Sequence, residues 1–299
     1  MKPLEVVILG SGAIVPTKER HHSAIWIRRE GDVFLWDCGE GTQRQIQKAG
    51  LSFMKIDKIF ITHWHADHFA GLLGLIETFN LEGRERKLEI YGPEASRFVS
   101  LLLDLSWYDF GFDVEAMDVE FEDKGETTVV EGDGYTIKST PAEHSIPAVA
   151  YSLEEEGKMN INEDKAANYD LHPGPKMGEL KEKGEIKYKG NTIKLEDVSE
   201  FTSGRKVIYT GDTCPTENIK KFSEDADLLI HDATFAEEAS HKHSSAAEAA
   251  KLATEANVKK LLLTHYSRRY KDPGELLKKA REYHENVEAA EELMRIKVE

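Results

Sequence analysis

Four apolar runs in this 299-residue chain finish in a histidine or an aspartate: "FIT" before His63, "IYTG" before Asp212, "LLI" before His231 and Asp232, and "LLLT" before His265. Short apolar runs bounded by polar tips read as buried strands. A fifth segment, "STPAEHSIPAVAY", carries His144 between short strands. Strands that end alike are natural if their ends converge on one edge of stacked sheets, and strand ends are where α/β folds build sites. The first run continues into "HWHADH", three imidazoles and a carboxylate within six positions. A lone H-x-H reads as a solvated loop; the full H-x-H-x-D-H behind a buried strand points to a metal centre.

The rest of the chain supplies a frame for that edge. "LEVVILGSGAIVPTKERHHSAIWI" reads as strand, glycine-rich turn, basic loop and strand. "VFLWDCGEGTQRQIQKAG" is a strand, an acidic-glycine turn and a helix, with Thr42 and Gln45 at capping-box spacing and Gly50 at its end. Residues 114–142 read as short antiparallel strands. Ser245 and Glu248 form a second capping box, ahead of a helix with Ala246, Ala249, Ala250 and Ala253 on one face. A strand through His265 and a C-terminal amphipathic helix finish the chain. The two halves repeat one pattern of strand, polar tip and helix.

Residues 152–205 differ in texture. They are polar and lysine-rich, with the turn cluster "HPGPKMG" and few apolar positions, so they read as an inserted arm that adds little to a core. From Leu171 to Lys194 six lysines stand against three glutamates, in a chain whose net charge is −16. That overall charge argues against broad nucleic-acid binding but leaves room for a local basic face. An exposed hairpin that uses lysine to discourage edge pairing explains the same residues without RNA. No run is long enough to span a membrane. The N-terminus enters a strand without a signal-peptide pattern, and Cys38 and Cys214 make no disulfide framework, so the expected compartment is the cytoplasm.

His63, His65, Asp67, His68, His144, Asp212 and His265 make seven candidate ligands, too many for one tetrahedral ion and the right supply for two with one carboxylate bridging. At these residues the chain resembles the metallo-β-lactamase superfamily. The resemblance implies an α/β fold, a single four-layer αβ/βα sandwich over 1–299 with a protruding arm at 152–205. It also implies that His63, His65 and His144 hold one zinc and Asp67, His68 and His265 the other, with Asp212 bridging. Manganese or iron would suit the same donors.

Further stretches are similar to the transfer-RNA 3′-processing endonuclease family, ribonuclease Z. They are "GSGAIVPTKERHHSA" (with His21 where the family pattern has asparagine), "DCGEGTQRQI", "HDATF" (with Asp232 for glutamate), "HKHSSAAEAA" and "LTHYSRRY". This resemblance implies a zinc-dependent endoribonuclease that removes the 3′ trailer of precursor tRNA through a hydroxide bridging two metals, and leaves a 3′-hydroxyl. It implies Asp67 as proton acceptor, His243 as donor to the leaving oxygen, and the arm as an exosite, in enzymes that work as homodimers. Locally, His243 reads equally well as a solvent histidine beside an N-cap. His231 with Asp232 reads as carboxylate orienting imidazole. Lys18, Arg20, Ser244, Arg268 and, on the arm, Lys176 and Lys181 are candidate RNA contacts. His21, His22, His172 and His241 are read as surface residues. A general phosphodiesterase or 3′-exoribonuclease, and a non-catalytic RNA-binding subunit, stay open as alternatives.

Overall fold

The computed structural model describes residues 4–107, 109–122, 125–237 and 242–299; His241 lies outside them. Two compact units emerge, one from residues up to Glu154 and from Lys206 onward, the other from Glu155–Arg205. The chain first lays down β1 (Leu4–Gly10), β2 (Ala24–Arg29), β3 (Asp32–Trp36), β4 (Ile56–Phe60), β5 (Leu88–Gly92) and β6 (Val114–Asp118). Next come β7 (Thr127–Gly132), β8 (Tyr135–Pro141) and β9 (Val149–Glu155). The smaller unit holds β10 (Lys158–Ile161), β11 (Glu185–Tyr188), β12 (Asn191–Lys194) and β13 (Ser199–Thr202). The larger unit then resumes with β14 (Lys206–Tyr209), β15 (Leu228–Asp232), β16 (Leu261–Thr264), β17 (Val287–Ala289) and β18 (Arg295–Val298).

The larger unit is built on two seven-stranded sheets, in the orders β18-β1-β2-β3-β4-β5-β6 and β17-β16-β15-β14-β9-β8-β7. Strand alternation generates its layers. In β15, Leu228 and Ile230 join Phe34, Trp36, Phe60, Tyr151 and Tyr209 in a core fed by both sheets, whereas Leu229 belongs to a helix-side core. Beyond the first sheet, Ile59 and Ile61 pack with Leu72, Leu75, Ile76 and Phe79 of the helix Leu72–Leu81. Beyond the second, Ala246, Ala249, Ala250 and Ala253 of the helix Ala246–Glu255 lie against Leu229, Leu261 and Leu263. Small alanines let that helix approach the sheet closely. The result is the expected helix–sheet–sheet–helix sandwich.

Several local expectations give way to tertiary contacts. The helix Thr42–Lys48 has no capping box: Gly41 is its N-cap, the Thr42 hydroxyl donates to Gly39 O at 2.7 Å, and the Gln45 amide is drawn to Leu9 O at 3.0 Å. Strand β6 pairs in parallel with β5 in the first sheet, and only β7 and β8 form the antiparallel hairpin expected of 114–142. The last helix spans Gly274–Ala280, and the chain goes on into β17 and β18, one in each sheet. The smaller unit has more of a core than its composition suggested: Ala166, Leu171, Leu180, Ile186, Ile193 and Val198 are buried together.

Phe60 joins the sheets just ahead of the histidine cluster. Its ring stacks on Tyr91 at 4.7 Å and meets Tyr151 edge-on at 5.3 Å. Phe60→Ala should therefore cost about 3–5 kcal/mol, read as a lower urea midpoint at unchanged slope. A shift under about 1 kcal/mol would mean that the core refills the space.

Candidate metal centre

Five chain segments converge on one edge of the larger unit. His63, His65, Asp67 and His68 follow β4, His144 lies between β8 and β9, Asp212 follows β14, Asp232 ends β15, and His265 follows β16. The edges of the two sheets are tied there by Val149 N–H donating to Thr62 O at 3.0 Å. Gly211 makes the approach of β14 tight: at φ +58, a Cβ on it would stand 2.7 Å from the Thr62 side chain.

The imidazoles share one rule of orientation. His68 Nδ1 donates to Asp37 Oδ2 at 2.6 Å, His63 Nδ1 bonds Thr62 Oγ1 at 3.1 Å, His265 Nδ1 bonds Thr234 Oγ1 at 3.0 Å, and His144 Nδ1 donates to Lys242 O at 3.1 Å. Each threonine spends its own proton on a carboxylate, Thr62 on Asp37 and Thr234 on Asp232, so each accepts from its histidine. All four rings thus keep Nε2 for a common space, where His65 presents Nδ1, 3.1 Å from His63 Nε2 and 3.0 Å from His144 Nε2. A hydrogen-bonded outer nitrogen that fixes tautomer and ring angle is the arrangement of metal-binding histidines.

The carboxylates complete the donor set. Asp212 Oδ2 lies 3.7 Å from His63 Nε2 and 3.3 Å from His265 Nε2, while Asp67 Oδ2 is 3.3 Å from His265 Nε2 and 3.8 Å from His68 Nε2. His68 Nε2 and Asp212 Oδ1 are 3.3 Å apart and buried, with no hydrogen-bond partner other than each other. Two buried atoms with lone pairs to offer and no other hydrogen-bond partner suit a divalent cation. His63, His65, His144 and Asp212 form one group of mutually close ligand atoms, and Asp67, His68 and His265 a second. Asp232 joins a third such group with Asp212, His243 and His265, but both its oxygens are already engaged. Oδ1 accepts from Thr234 N–H and hydroxyl, and Oδ2 from His243 Nδ1 and the N–H groups of Thr213 and Ser244. It is an orienting carboxylate.

Charge follows the same division. Burial, then neighbouring imidazoles, holds His63 well below its usual range, so it is neutral. Burial opposes charge on His68 and His265 too, but Asp212 with Asp37 overcomes it at His68, and Asp212 with Asp232 and Asp67 brings His265 up to about 10. Without a cation the carboxylates therefore recruit protons onto two of the candidate ligands.

Other expected contacts are distributed differently. His231 and Asp232 are neighbours in a strand and so face opposite ways: the His231 ring donates to Asp232 O at 2.9 Å, not to its carboxylate, and lies on the helix side of the sheet. The imidazole that the Asp232 carboxylate orients is His243, at 2.9 Å. Ser244 is fully buried and its hydroxyl donates to Thr213 O at 2.6 Å, so none of it is left for phosphate. Ser245 is the helix cap. Arg20 is committed to fastening a loop, bonded to Tyr270 O with its guanidinium 5.0 Å over the Tyr266 ring. Lys18 and Arg268 stand exposed. In the smaller unit Lys176 pairs with Glu179 at 2.7 Å, and Lys181 is exposed. His172 is exposed, whereas His21 and His22 are half-buried against the Gly39–Gly41 turn. The sequence reading missed Asp37, Thr62 and Thr234. Asp37 had a signal, since it too follows an apolar strand directly.

Comparison with known proteins agrees with this geometry. The family described as Metallo-beta-lactamase superfamily matches residues 17–156, and the Beta-lactamase superfamily domain matches 197–266. A ribonuclease Z of Methanosarcina acetivorans is 40% identical over 304 aligned positions, covering 99% of this chain and 98% of that protein. One from Thermococcus onnurineus is 44% identical over 285, covering 93% and 89%. The crystal structure of human tRNase Z, short form, matches with TM-score 0.71 and 29% identity over 99% of each chain. Fold and donor set define a metal-dependent hydrolase of phosphodiester bonds on the metallo-β-lactamase fold. Within that class, the chain belongs to the ribonuclease Z family.

Asp37→Asn should weaken metal affinity about 10–100-fold in competition with a chromophoric chelator, because Asp37 orients His68 directly and His63 through Thr62. Wild-type affinity in this variant would remove Asp37 from the site. Since His68 and His265 carry protons in the cation-free protein, metal binding should release about two protons near neutral pH, and affinity should rise with pH. Calorimetry in buffers of different ionisation heat reads this directly, and a binding heat independent of buffer would contradict it.

Proposed function

We propose that this chain is a zinc-dependent endoribonuclease that removes the 3′ trailer from precursor tRNA and leaves a 3′-hydroxyl on the tRNA. The observation that carries the reading is the His243–Asp232 pair beside the ligand cluster, in a chain related to ribonuclease Z proteins along nearly its whole length. One ion would be held by His63, His65 and His144 and a second by Asp67, His68 and His265, with Asp212 between them. Such ions make hydroxide available near neutral pH and neutralise the phosphate oxygens.

The chain's own side chains handle the protons. Asp67 is held below the usual carboxylate range: burial opposes this, but His265 and His68 outweigh it. It is therefore ionised, the form that the proton-acceptor role requires. His243 is the donor. Burial opposes its charge, yet the Asp232 carboxylate outweighs burial and raises its pKa, which favours the protonated ring that the donor role needs. With Nδ1 spent on Asp232, Nε2 is the nitrogen left to protonate the departing 3′-oxygen.

RNA needs cations in an acidic chain. Lys18 and Arg268 beside the ligand loops, and Lys181 and Lys187 of the smaller unit, have no carboxylate partner among the described residues. By contrast, Lys176 and Lys183 share Glu179, and Lys189 pairs with Asp170. The smaller unit is read as the exosite, Lys181 and Lys187 its free charges and Lys176 a weaker contributor. A cytoplasmic homodimer with two zinc ions per subunit completes the proposal; manganese or iron would fit the same ligands.

His243→Ala should slow cleavage of precursor tRNA about 10²–10⁴-fold, but spare a nitrophenyl phosphodiester, whose leaving group needs no proton. Equal losses on both substrates would assign His243 to something other than proton donation. Lys181→Glu with Lys187→Glu should raise KM for precursor tRNA and leave the small diester unaffected. Unchanged KM at low salt would take the exosite out of the account.

A further inference from the structure

Glu292 lies outside the metal centre, and the chemistry above makes no use of it. It sits in residues 290–294, which cross from β17 in the second sheet to β18 in the first. Both ends of that crossover are fastened: Ala290 N–H donates to Leu263 O at 2.8 Å, and Leu293 N–H donates to Ile8 O at 2.7 Å. Between these ties, Glu292 Oε1 accepts from Ser11 N–H at 3.1 Å, the Ser11 hydroxyl at 3.1 Å and His21 N–H at 3.0 Å. Ser11 and His21 are the two ends of one loop, closed by Gly12 N–H donating to His21 O at 2.9 Å. At its tip Thr17 accepts from Arg20 N–H at 3.0 Å, which leaves Lys18 exposed.

This loop is wedged between two segments that carry candidate ligands. On one side Gly12 bridges to Tyr266, the residue after His265, and the Tyr266 hydroxyl donates to Ala290 O of the same crossover. On the other, His22 packs on Gly39, where a Cβ would stand 2.5 Å from the His22 Cβ and 2.3 Å from Asp67 O. The rings of His63, His68 and His265 are oriented separately, by Asp37 and Asp232 and their threonines. Releasing the loop therefore bears first on its Lys18 tip.

We propose that Glu292 is a positioning residue for the RNA substrate, its carboxylate clamping both ends of the 11–21 loop so that the Lys18 tip is fixed beside the metal centre. The proposal rests on the RNA-processing reading above. Three donors converge on one oxygen, and charged acceptors make the stronger hydrogen bonds. Removing the side chain strands two backbone N–H groups, whereas glutamine keeps an oxygen in the same place.

The test uses Glu292→Ala and Glu292→Gln in the full metal-loaded protein. The readouts are KM and kcat on precursor tRNA, hydrolysis of a nitrophenyl phosphodiester, and amide hydrogen exchange. In the alanine variant KM for precursor tRNA should rise about tenfold and exchange at Ser11 and His21 should quicken by about the same factor. Its kcat and small-diester hydrolysis should stay at wild-type levels, and the glutamine variant should return KM to near wild type. In a double-mutant cycle, Lys18→Ala should add little to Glu292→Ala. Equal loss on both substrates, or wild-type KM in the alanine variant, overturns the proposal. Wild-type protein that leaves precursor tRNA whole overturns the substrate reading instead. The clamp is then judged on exchange alone, where wild-type rates at Ser11 and His21 in Glu292→Ala refute it.

Discussion

Two buried carboxylates, Asp37 and Asp232, hold the functional edge together. Asp37 takes His68 directly and His63 through the Thr62 hydroxyl; Asp232 takes His243 directly and His265 through Thr234. Each also accepts backbone N–H groups, Thr62 for Asp37 and Thr213, Thr234 and Ser244 for Asp232. Burying a charge is costly unless its lone pairs are satisfied, and both of these are. Tyr209 of the second sheet donates to Asp37 at 2.8 Å, so the hub of the first sheet is held from across the core. The same hydrogen bonds that place the rings thereby join the sheets.

This arrangement assigns separate tasks to neighbouring histidines. Rings with an orienting partner on Nδ1 offer Nε2 inward. His63, bonded to a neutral hydroxyl and crowded by other imidazoles, is neutral and ready to ligate. His243, bonded to a carboxylate, holds a proton more tightly than a free imidazole does, as the proposed donor role requires. A phosphodiester hydrolase needs both kinds, and here the strand ends supply one and the loop ahead of the helix Ala246–Glu255 the other.

Much of this was legible in the chain. The candidate ligands in "HWHADH" and at the tips of apolar strands, which the structure brings together, stood out because strand ends are where a sheet can spend polar chemistry without breaking its core. The alanine face and the Ser245 cap were legible because helix periodicity and capping are local. Illegible features depended on partners remote in sequence. Ser244 looked free until Thr213 O, 31 residues away, took its hydroxyl. His231 was paired with Asp232 by adjacency, although neighbours in a strand face opposite sides. The core of the smaller unit was underestimated because its six buried residues are spread over 33 positions, from Ala166 to Val198. Asp37 shared the strand-end signature of the ligands, but its glycine-rich surroundings read as turn chemistry.

The most direct test of the central claim is end-mapping of the products from a 3′-extended tRNA transcript incubated with the zinc-loaded protein. The account predicts one cut, an intact trailer bearing a 5′-phosphate, a tRNA ending in a 3′-hydroxyl, and no cleavage after chelation until metal is restored. A ladder of mononucleotides from the 3′ end, or a tRNA ending in a 3′-phosphate, would contradict it.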